Sequence, residues 1–403
     1  MTDPLAQLTI CFAFLLVHVT TFAQAPKFSN EFLNIGVGAR SHGMAGAMAA
    51  DVSDITAMYW NPAGLADVRA SFQVSAMHAE WFAGLGKFDY FALGKPVKFN
   101  TVRAVLGISA VRFGVDNIPN TLNLLDTDGS INYNNVTPFS AADYAIMVNY
   151  AQKLYIKGLQ VGGGVKVIHR KAGTFATSLG FGVDLGIQYK RENWRFGLAA
   201  HDITTTFNSW TFSFTEEERA ILELENNVIP ATSTELTSPK ITLGTGYIAR
   251  FTDKLYLLMA LDLDFNTDGQ RNTIISSKSI NVDPKIGMEL SYGDFIAIRG
   301  GINNIQKTLD DINGESTVIT FQPNAGIGLK IPQRSQIPGE KRFVYLDYAY
   351  TDLGDASLGL YSHLASLTID LEVRRRSKRA TKELKKKASE KEKRPNTIIE
   401  QIN

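Results

Sequence analysis

From Ser71 onwards, apolar and polar residues change places with a period of two, through segment after segment of about ten residues rich in Tyr, Phe, Val and Gly. Fourteen such segments stand out: Ser71–Glu80, Lys87–Val97, Val102–Phe113, Ala141–Lys153, Gly158–His169, Phe175–Tyr189, Trp194–Thr204, Lys240–Phe251, Leu255–Phe265, Ile280–Ser291, Phe295–Asn303, Phe321–Ile331, Arg342–Thr351 and Leu364–Val373. Their lengths suit tilted transmembrane strands, which need roughly 9–11 residues each. The connections after the second, fourth, sixth, eighth and tenth segments are very short, around Lys98–Thr101, Leu154–Lys157, Lys190–Asn193, Thr252–Lys254 and Tyr292–Asp294. Those after the third, seventh, ninth, eleventh and thirteenth are longer, notably Gly114–Ser140 and Thr205–Pro239. Three connections depart from the rule: Trp81–Gly86 and Arg170–Thr174 are short, and Pro332–Lys341 is longish.

Short turns on one rim and long loops on the other is the layout of an outer-membrane barrel, and a soluble sandwich has no reason to alternate this way. Closure also removes the unpaired sheet edges that lipid could not satisfy. The pattern therefore predicts an all-β fold, a fourteen-stranded antiparallel transmembrane β-barrel over residues 71–373, with both termini on the short-turn, periplasmic side. Glycines inside the segments (Gly162, Gly163, Gly164, Gly180, Gly182, Gly186, Gly244, Gly246, Gly326 and Gly328) weaken ordinary strands. In a curved wall they permit bending, or close approach of backbone or a plug. Fourteen strands are too many for a lipocalin-like soluble barrel.

Composition does not disturb this picture. The 403 residues are 44% hydrophobic with a formal charge of +1, and the mean hydropathy is −0.06 at a pI near 7.8. That excludes a bundle of membrane helices, but not a barrel whose lipid-facing and lumen-facing residues average out. No global field favours nucleic acid. Leu8–Val19 is almost wholly apolar and leads to Ala23-Gln24-Ala25, the pattern of a signal peptide over residues 1–25. It is shorter than the roughly 20 residues a membrane helix needs; its one departure is Asp3 with no Lys or Arg before the apolar run. Cys11 is the only cysteine and follows Ile10, which argues against a lipoprotein, and cleavage would leave no thiol chemistry. At the other end, residues 374–403 open with twelve basic residues against three Glu, among them Arg374, Arg375, Arg376, Lys385, Lys386 and Lys387. Such a block reads as a solvated, flexible tail, or as an arm for anionic lipid heads or an acidic periplasmic partner.

Residues 26–70 precede the first strand and are rich in Gly, Ala and Met from Asn30, which predicts a segment folded back as a plug. The glycine-dense run Phe32–Ala47 invites a nucleotide-binding reading, but no strand precedes it, no βαβ unit follows, and no Lys-Ser/Thr pair is present. Gly43–Ala50 is made of small residues suited to tight packing in a lumen. Asn61-Pro62 with Gly64 is turn chemistry: Pro62 fixes its own φ, Asn61 is biased towards extended geometry, and Gly64 is free to take a positive φ. Asn34-Ile35-Gly36-Val37-Gly38-Ala39-Arg40, then Gly43-Met44-Ala45-Gly46-Ala47, then Trp60-Asn61-Pro62-Ala63-Gly64-Leu65 resembles the N-terminal signature of the PorV/PorQ family. These are outer-membrane proteins of Bacteroidota-type bacteria related to FadL-type long-chain fatty-acid transporters, which share the Asn-Pro-Ala element in a hatch plugging a fourteen-stranded barrel. The resemblance spans about residues 30–373, its specific motifs lying in the first forty; the basic tail is not part of the shared pattern. It implies a part in type IX secretion, binding cargo signal domains or sitting in the surface attachment complex.

Candidate chemistry is sparse. Asp262 and Asp264-Phe265-Asn266-Thr267-Asp268-Gly269 match half a calcium loop, but Ile275 stands where the bidentate Glu belongs. Asp126–Gly129 is likewise a turn, although such carboxylates in outer loops are able to hold Ca²⁺. His18, His42, His78, His169, His201 and His363 show no metal-ligand spacing, and His201-Asp202 has no nucleophile set beside it. Glu216–Asn226 reads as a short amphipathic helix capping an outer loop. No catalytic, cofactor or metal residue is expected, and the chain is not expected to be an enzyme. The expected function is a plugged secretion-machinery barrel, bound by outer-membrane lipid, whose loops Gly114–Ser140 and Thr205–Pro239 engage cargo or partner proteins. The alternative is a FadL-like transporter of hydrophobic small molecules, with residues 30–70 lining an apolar pocket.

Overall fold

The described residues form seventeen strand segments: β1 Phe72–Trp81, β2 Gly86–Phe99, β3 Val102–Asn120, β4 Thr137–Lys153, β5 Leu159–Ala172, β6 Ala176–Arg191, β7 Trp194–His201, β8 Thr206–Phe212, β9 Thr232–Thr237, β10 Lys240–Arg250, β11 Leu255–Asn266, β12 Ile275–Ser276, β13 Asn281–Tyr292, β14 Ile296–Leu309, β15 Thr317–Gln333, β16 Arg342–Asp352 and β17 Tyr361–Leu371. The computed structural model describes residues 29–99, 102–126, 129–224, 232–277, 279–293, 295–309, 317–335, 342–352 and 361–372. The expected signal peptide, residues 1–25, and the basic residues 374–403 both lie outside them.

All pairings are antiparallel, and the sheet closes on itself because β1 pairs with β2 on one side and with β17 on the other. Three segments add no stave. β7 and β8 lie end to end against β6, β9 and β10 run back along β8 and β7, and the two-residue β12 pairs over the start of β13. The closed barrel therefore has fourteen staves, as the alternation predicts.

The first interruption has a local cause. Asp202 and Thr205 take left-handed backbone, at φ 54° and 57°, which breaks a ladder that needs extended residues. Ser238-Pro239 interrupts the neighbouring stave, and Pro239 has no N–H to give the ladder. The segment expected to run from Trp194 to Thr204 therefore stops at His201 and resumes at Thr206, so the expected loop Thr205–Pro239 contains two strands and the helix Glu216–Leu224. Gly114–Ser140 shrinks similarly, since β3 runs on to Asn120 and β4 starts at Thr137. The staves outlast the hydrophobic pattern because beyond the apolar belt both faces meet polar surroundings. Asp116, Asn117 and Asn120 carry no period-two signal, yet pairing continues past a bulge between Val115 and Ile118.

The wall is apolar outside and polar inside. On β6, Leu179, Phe181, Leu185 and Ile187 are exposed while Ser178, Asp184 and Gln188 are buried. Exposed apolar side chains recur at the same parity on β3–β5, β10, β11 and β13–β15, a belt that lipid covers. No helix among the described residues is long and apolar enough to cross a membrane; the crossing is made by strands. Over β1–β5 the upper edge of the belt is sharp. Ala76, Phe91, Ala110, Ile146 and Val167 form one outward row, and two residues nearer the long loops stand His78, Asp89, Arg112, Tyr144 and His169. In that second row His78 Nδ1 lies 2.7 Å from Asp89 Oδ1, and Arg112 donates to Asp89 at 3.1 Å.

Candidate functional site

The lumen is filled by residues 29–70, a hatch of short helical turns (Glu31–Asn34, Ala39–Gly43, Ala57–Trp60 and Pro62–Asp67) too brief to hold together by themselves. Tertiary burial holds them. Val37, Met44, Met48, Val52, Ile55, Met58 and Leu65 are fully buried against the wall, each worth about 1.5–3 kcal/mol by removal from water.

The residues singled out by sequence have structural partners here. Trp60 donates from Nε1 to the Val37 carbonyl at 2.9 Å, and its ring presses on Gly36 and Gly46, both at positive φ. A side chain at either would collide with the indole as well as strain the backbone. Gly38 is also at positive φ and opens the helix that carries Arg40. Asn61 caps the turn Pro62–Asp67: its Oδ1 accepts the Ala63 N–H at 3.1 Å, and Pro62 stands at the first helical position. Its Nδ2 donates to the Ala49 carbonyl at 2.7 Å and faces the carbonyls of Ile187 and Leu198 on β6 and β7 at 3.2 and 3.4 Å. Asn61 thus ties two parts of the hatch to two staves. Gly64 is not at positive φ, contrary to the turn reading. A Cβ there would sit 2.2 Å from the Val52 carbonyl oxygen, so close approach demands the glycine. Gly43 packs against Gly326, and the Met44 backbone against Gly287 and Gly301. Asn34 is apart from these, at the long-loop side, where its Oδ1 accepts from Lys240 at 3.1 Å.

Charged residues bolt the hatch to the wall. Arg40 bridges Asp51 at 3.0 Å and Glu289 at 2.8 Å; Glu289 also pairs with Arg299 at 2.6 Å, and Arg299 with Asp347 at 2.6 Å. Asp67 pairs with Lys153 at 2.6 Å and with Lys190. Burial alone would raise the Asp67 carboxyl, but these lysines hold it down at about 2. Asp262 accepts the Met48 and Ala49 N–H groups, both at 2.8 Å, and Gln188 donates to the Ala49 carbonyl at 3.0 Å. Sequence reading passed over Gln188, Glu289 and Arg299, although a signal existed: they are polar residues at inward parity in otherwise apolar strands. Asp262 and Asp264, read in the sequence as a partial calcium loop, lie inside β11 and point into the lumen, and Asp264 pairs with Lys285 at 2.7 Å.

Two spaces flank the hatch. On the short-turn side a vestibule of about 1080 Å³ opens to the rim, lined by charges of both signs, among them Arg40, Asp54, Arg103 and Asp370. On the long-loop side a cavity of about 70 Å³ lies between the start of the hatch and the two interrupted staves. Its wall includes Lys166, Asp184, Asp202, Lys240, Asp264 and Lys285, and its floor includes Tyr59 and Trp60. Beside it lies an apolar sector in which Phe32, Leu33 and Ile35 of the hatch join Met77, Trp81, Phe88, Val111, Met147 and Ile168. Leu33 and Met147 belong to both regions.

No protein-family model matches the chain, and no curated protein matches it in sequence. Among solved structures, it resembles the P. putida toluene transporter TodX at 12% identity and TM-score 0.50, over 84% of this chain and 99% of that one. It also resembles a Pseudomonas aeruginosa FadL homologue (11%, 0.48, 83% and 98%) and the Ralstonia pickettii toluene transporter TbuX (14%, 0.46, 83% and 97%). At such identities the likeness is one of fold alone: a closed antiparallel barrel of fourteen staves.

Proposed function

We propose that this chain is an outer-membrane barrel, with its termini in the periplasm, that admits small hydrophobic or amphiphilic molecules and catalyses no reaction. The observation that carries the reading is the apolar sector on the long-loop side, filled by Phe32, Leu33 and Ile35 rather than by wall side chains alone. A hydrophobic solute gains the same burial that these residues enjoy, so it competes for their place. The name of one similar structure, a toluene transporter, supports the same choice. The secretion-machinery reading rests on the hatch motifs, and here Gly36, Gly46, Trp60, Asn61 and Gly64 are accounted for by packing within the hatch and against the wall. That is a task common to plugged barrels, so these motifs do not favour secretion over solute uptake.

The start of the hatch offers a reversible test. Asn30 Nδ2 donates to Thr237 Oγ1 at 2.7 Å. The pair Asn30→Cys and Thr237→Cys is expected to pin the hatch when oxidised, stopping uptake of labelled toluene into cells that carry the barrel. Reductant should restore it. Equal uptake by oxidised, reduced and barrel-free cells would refute the proposal.

A further inference from the structure

The cavity on the long-loop side differs in character from a hydrocarbon site. Its carboxylates, Glu31, Asp184, Asp202, Asp264 and Asp268, already outnumber its cations, Lys166, Lys240, Arg271 and Lys285, before Asp262 is added. Most of these charges neutralise one another. Lys166 pairs with Asp184 at 2.9 Å and Asp202 at 2.8 Å, Lys285 with Asp264 at 2.7 Å, and Arg271 with Asp268 and with Glu31 at 3.2 Å. Lys240 is held more loosely, 3.1 Å from the Asn34 amide oxygen and 4.0 Å from Asp264. Neutral side chains fill the gaps between the pairs: Ser29, Asn30, Thr237, Thr242 and Asn266.

We propose that this cavity takes the uncharged, hydroxyl-bearing head of an amphiphile and turns carboxylate heads away, the tail lying in the adjoining apolar sector. The inference rests on the amphiphile reading above and names the head group. A hydroxyl both donates and accepts, which matches a lining that presents ammonium, amide, hydroxyl and carboxylate groups together; an ionised carboxylate only accepts. An anion entering here also meets a surplus of negative charge where water no longer screens it fully. An ammonium head only donates, so it leaves the ammonium and amide donors of the lining unmatched. Leu33 and Met147, shared between the cavity and the apolar sector, supply the continuity that a head joined to a tail requires.

The test holds the tail constant. The full chain in amphipol is titrated calorimetrically with octyl glucoside, octanoate and octylammonium below their micelle concentrations, against an amphipol blank. Octyl glucoside is expected to bind most tightly. Glu31 is half exposed at the mouth, so Glu31→Gln leaves the barrel intact; it should strengthen octanoate binding relative to octyl glucoside by about threefold or more. Octanoate or octylammonium binding as tightly as octyl glucoside, or no response of octanoate to Glu31→Gln, overturns the head-group assignment while uptake stands. Failure of all three to bind removes the amphiphile reading with it.

Discussion

His42 is buried in the hatch helix Ala39–Gly43, its ring centre 5.8 Å from that of Trp81, and its Nε2 has no hydrogen-bond partner among the described residues. Burial pushes its pKa down to about 4, with Lys285 acting in the same direction against a contact with the Gly36 backbone. Since the folded value lies below the ordinary 6.5, the contribution of the neutral ring is complete above that pH and fades as pH falls towards about 4. The shift corresponds to about 3 kcal/mol in all. Asp67 also favours higher pH, but its window runs from 3.8 down to about 2 and lies below that of His42. Lowering the pH from 7 to 4.5 should therefore cost the wild type more melting temperature than His42→Gln, whose side chain does not titrate. An equal fall in both proteins would show that the hatch tolerates the imidazolium. The low exposure that produces this effect was not legible in the sequence, where His42 is one of six scattered histidines.

Elements meet here at glycine. A methyl on Gly186 would stand 2.0 Å from Asn61 Oδ1, and one on Gly162 would stand 2.4 Å from the Pro62 carbonyl carbon. β5 and β6 thus form a smooth floor against which the Asn-Pro-Ala turn lies. Gly162→Ala and Gly186→Ala should each push the turn off the wall at a cost of about 1–3 kcal/mol, while ladder pairing of the staves survives. The expected signature is a barrel that still shows a heat-modifiable gel shift, with new protease cleavage in residues 29–70; a hatch as resistant as wild type would refute it. The strand glycines were readable as points of close approach, but not their partners. Strand ends followed the same logic: period two was legible where a stave crosses lipid, and vanished on the outer part of β3 and on β8 and β9, where Asn, Ser and Thr occupy both faces.

Across the whole molecule, closure makes the barrel an inverted protein, with a polar, hydrogen-bonded interior and an apolar exterior. Nine register pairs from Phe72↔Leu371 to Glu80↔His363 shut the seam between first and last strands, leaving no edge for lipid to meet. Val165 points outward on β5, midway between its ends, while its neighbour Lys166 is buried inside among carboxylates. Val165→Arg should therefore cost about 2–4 kcal/mol when the barrel folds into a bilayer, measured as a lower urea midpoint in vesicles. A cost near zero would move the belt away from this height. The same cation one residue along is stabilised by its partners, so position relative to the wall decides the sign.

The sequence by itself determined the parity of each stave, the alternation of short and long connections, and so the stave count and closure, because these are local properties repeated along the chain. It also marked the hatch, whose glycines and Asn-Pro turn stand apart from strand chemistry. Only the tertiary structure decided what the hatch rests on, which inward charges pair across staves far apart in sequence, and that two staves are interrupted beside a polar cavity. Those outcomes depend on contacts spanning more than a hundred residues, such as Asn61 to Ile187 and Arg40 to Glu289, and local alternation carries no information about which distant residue will arrive.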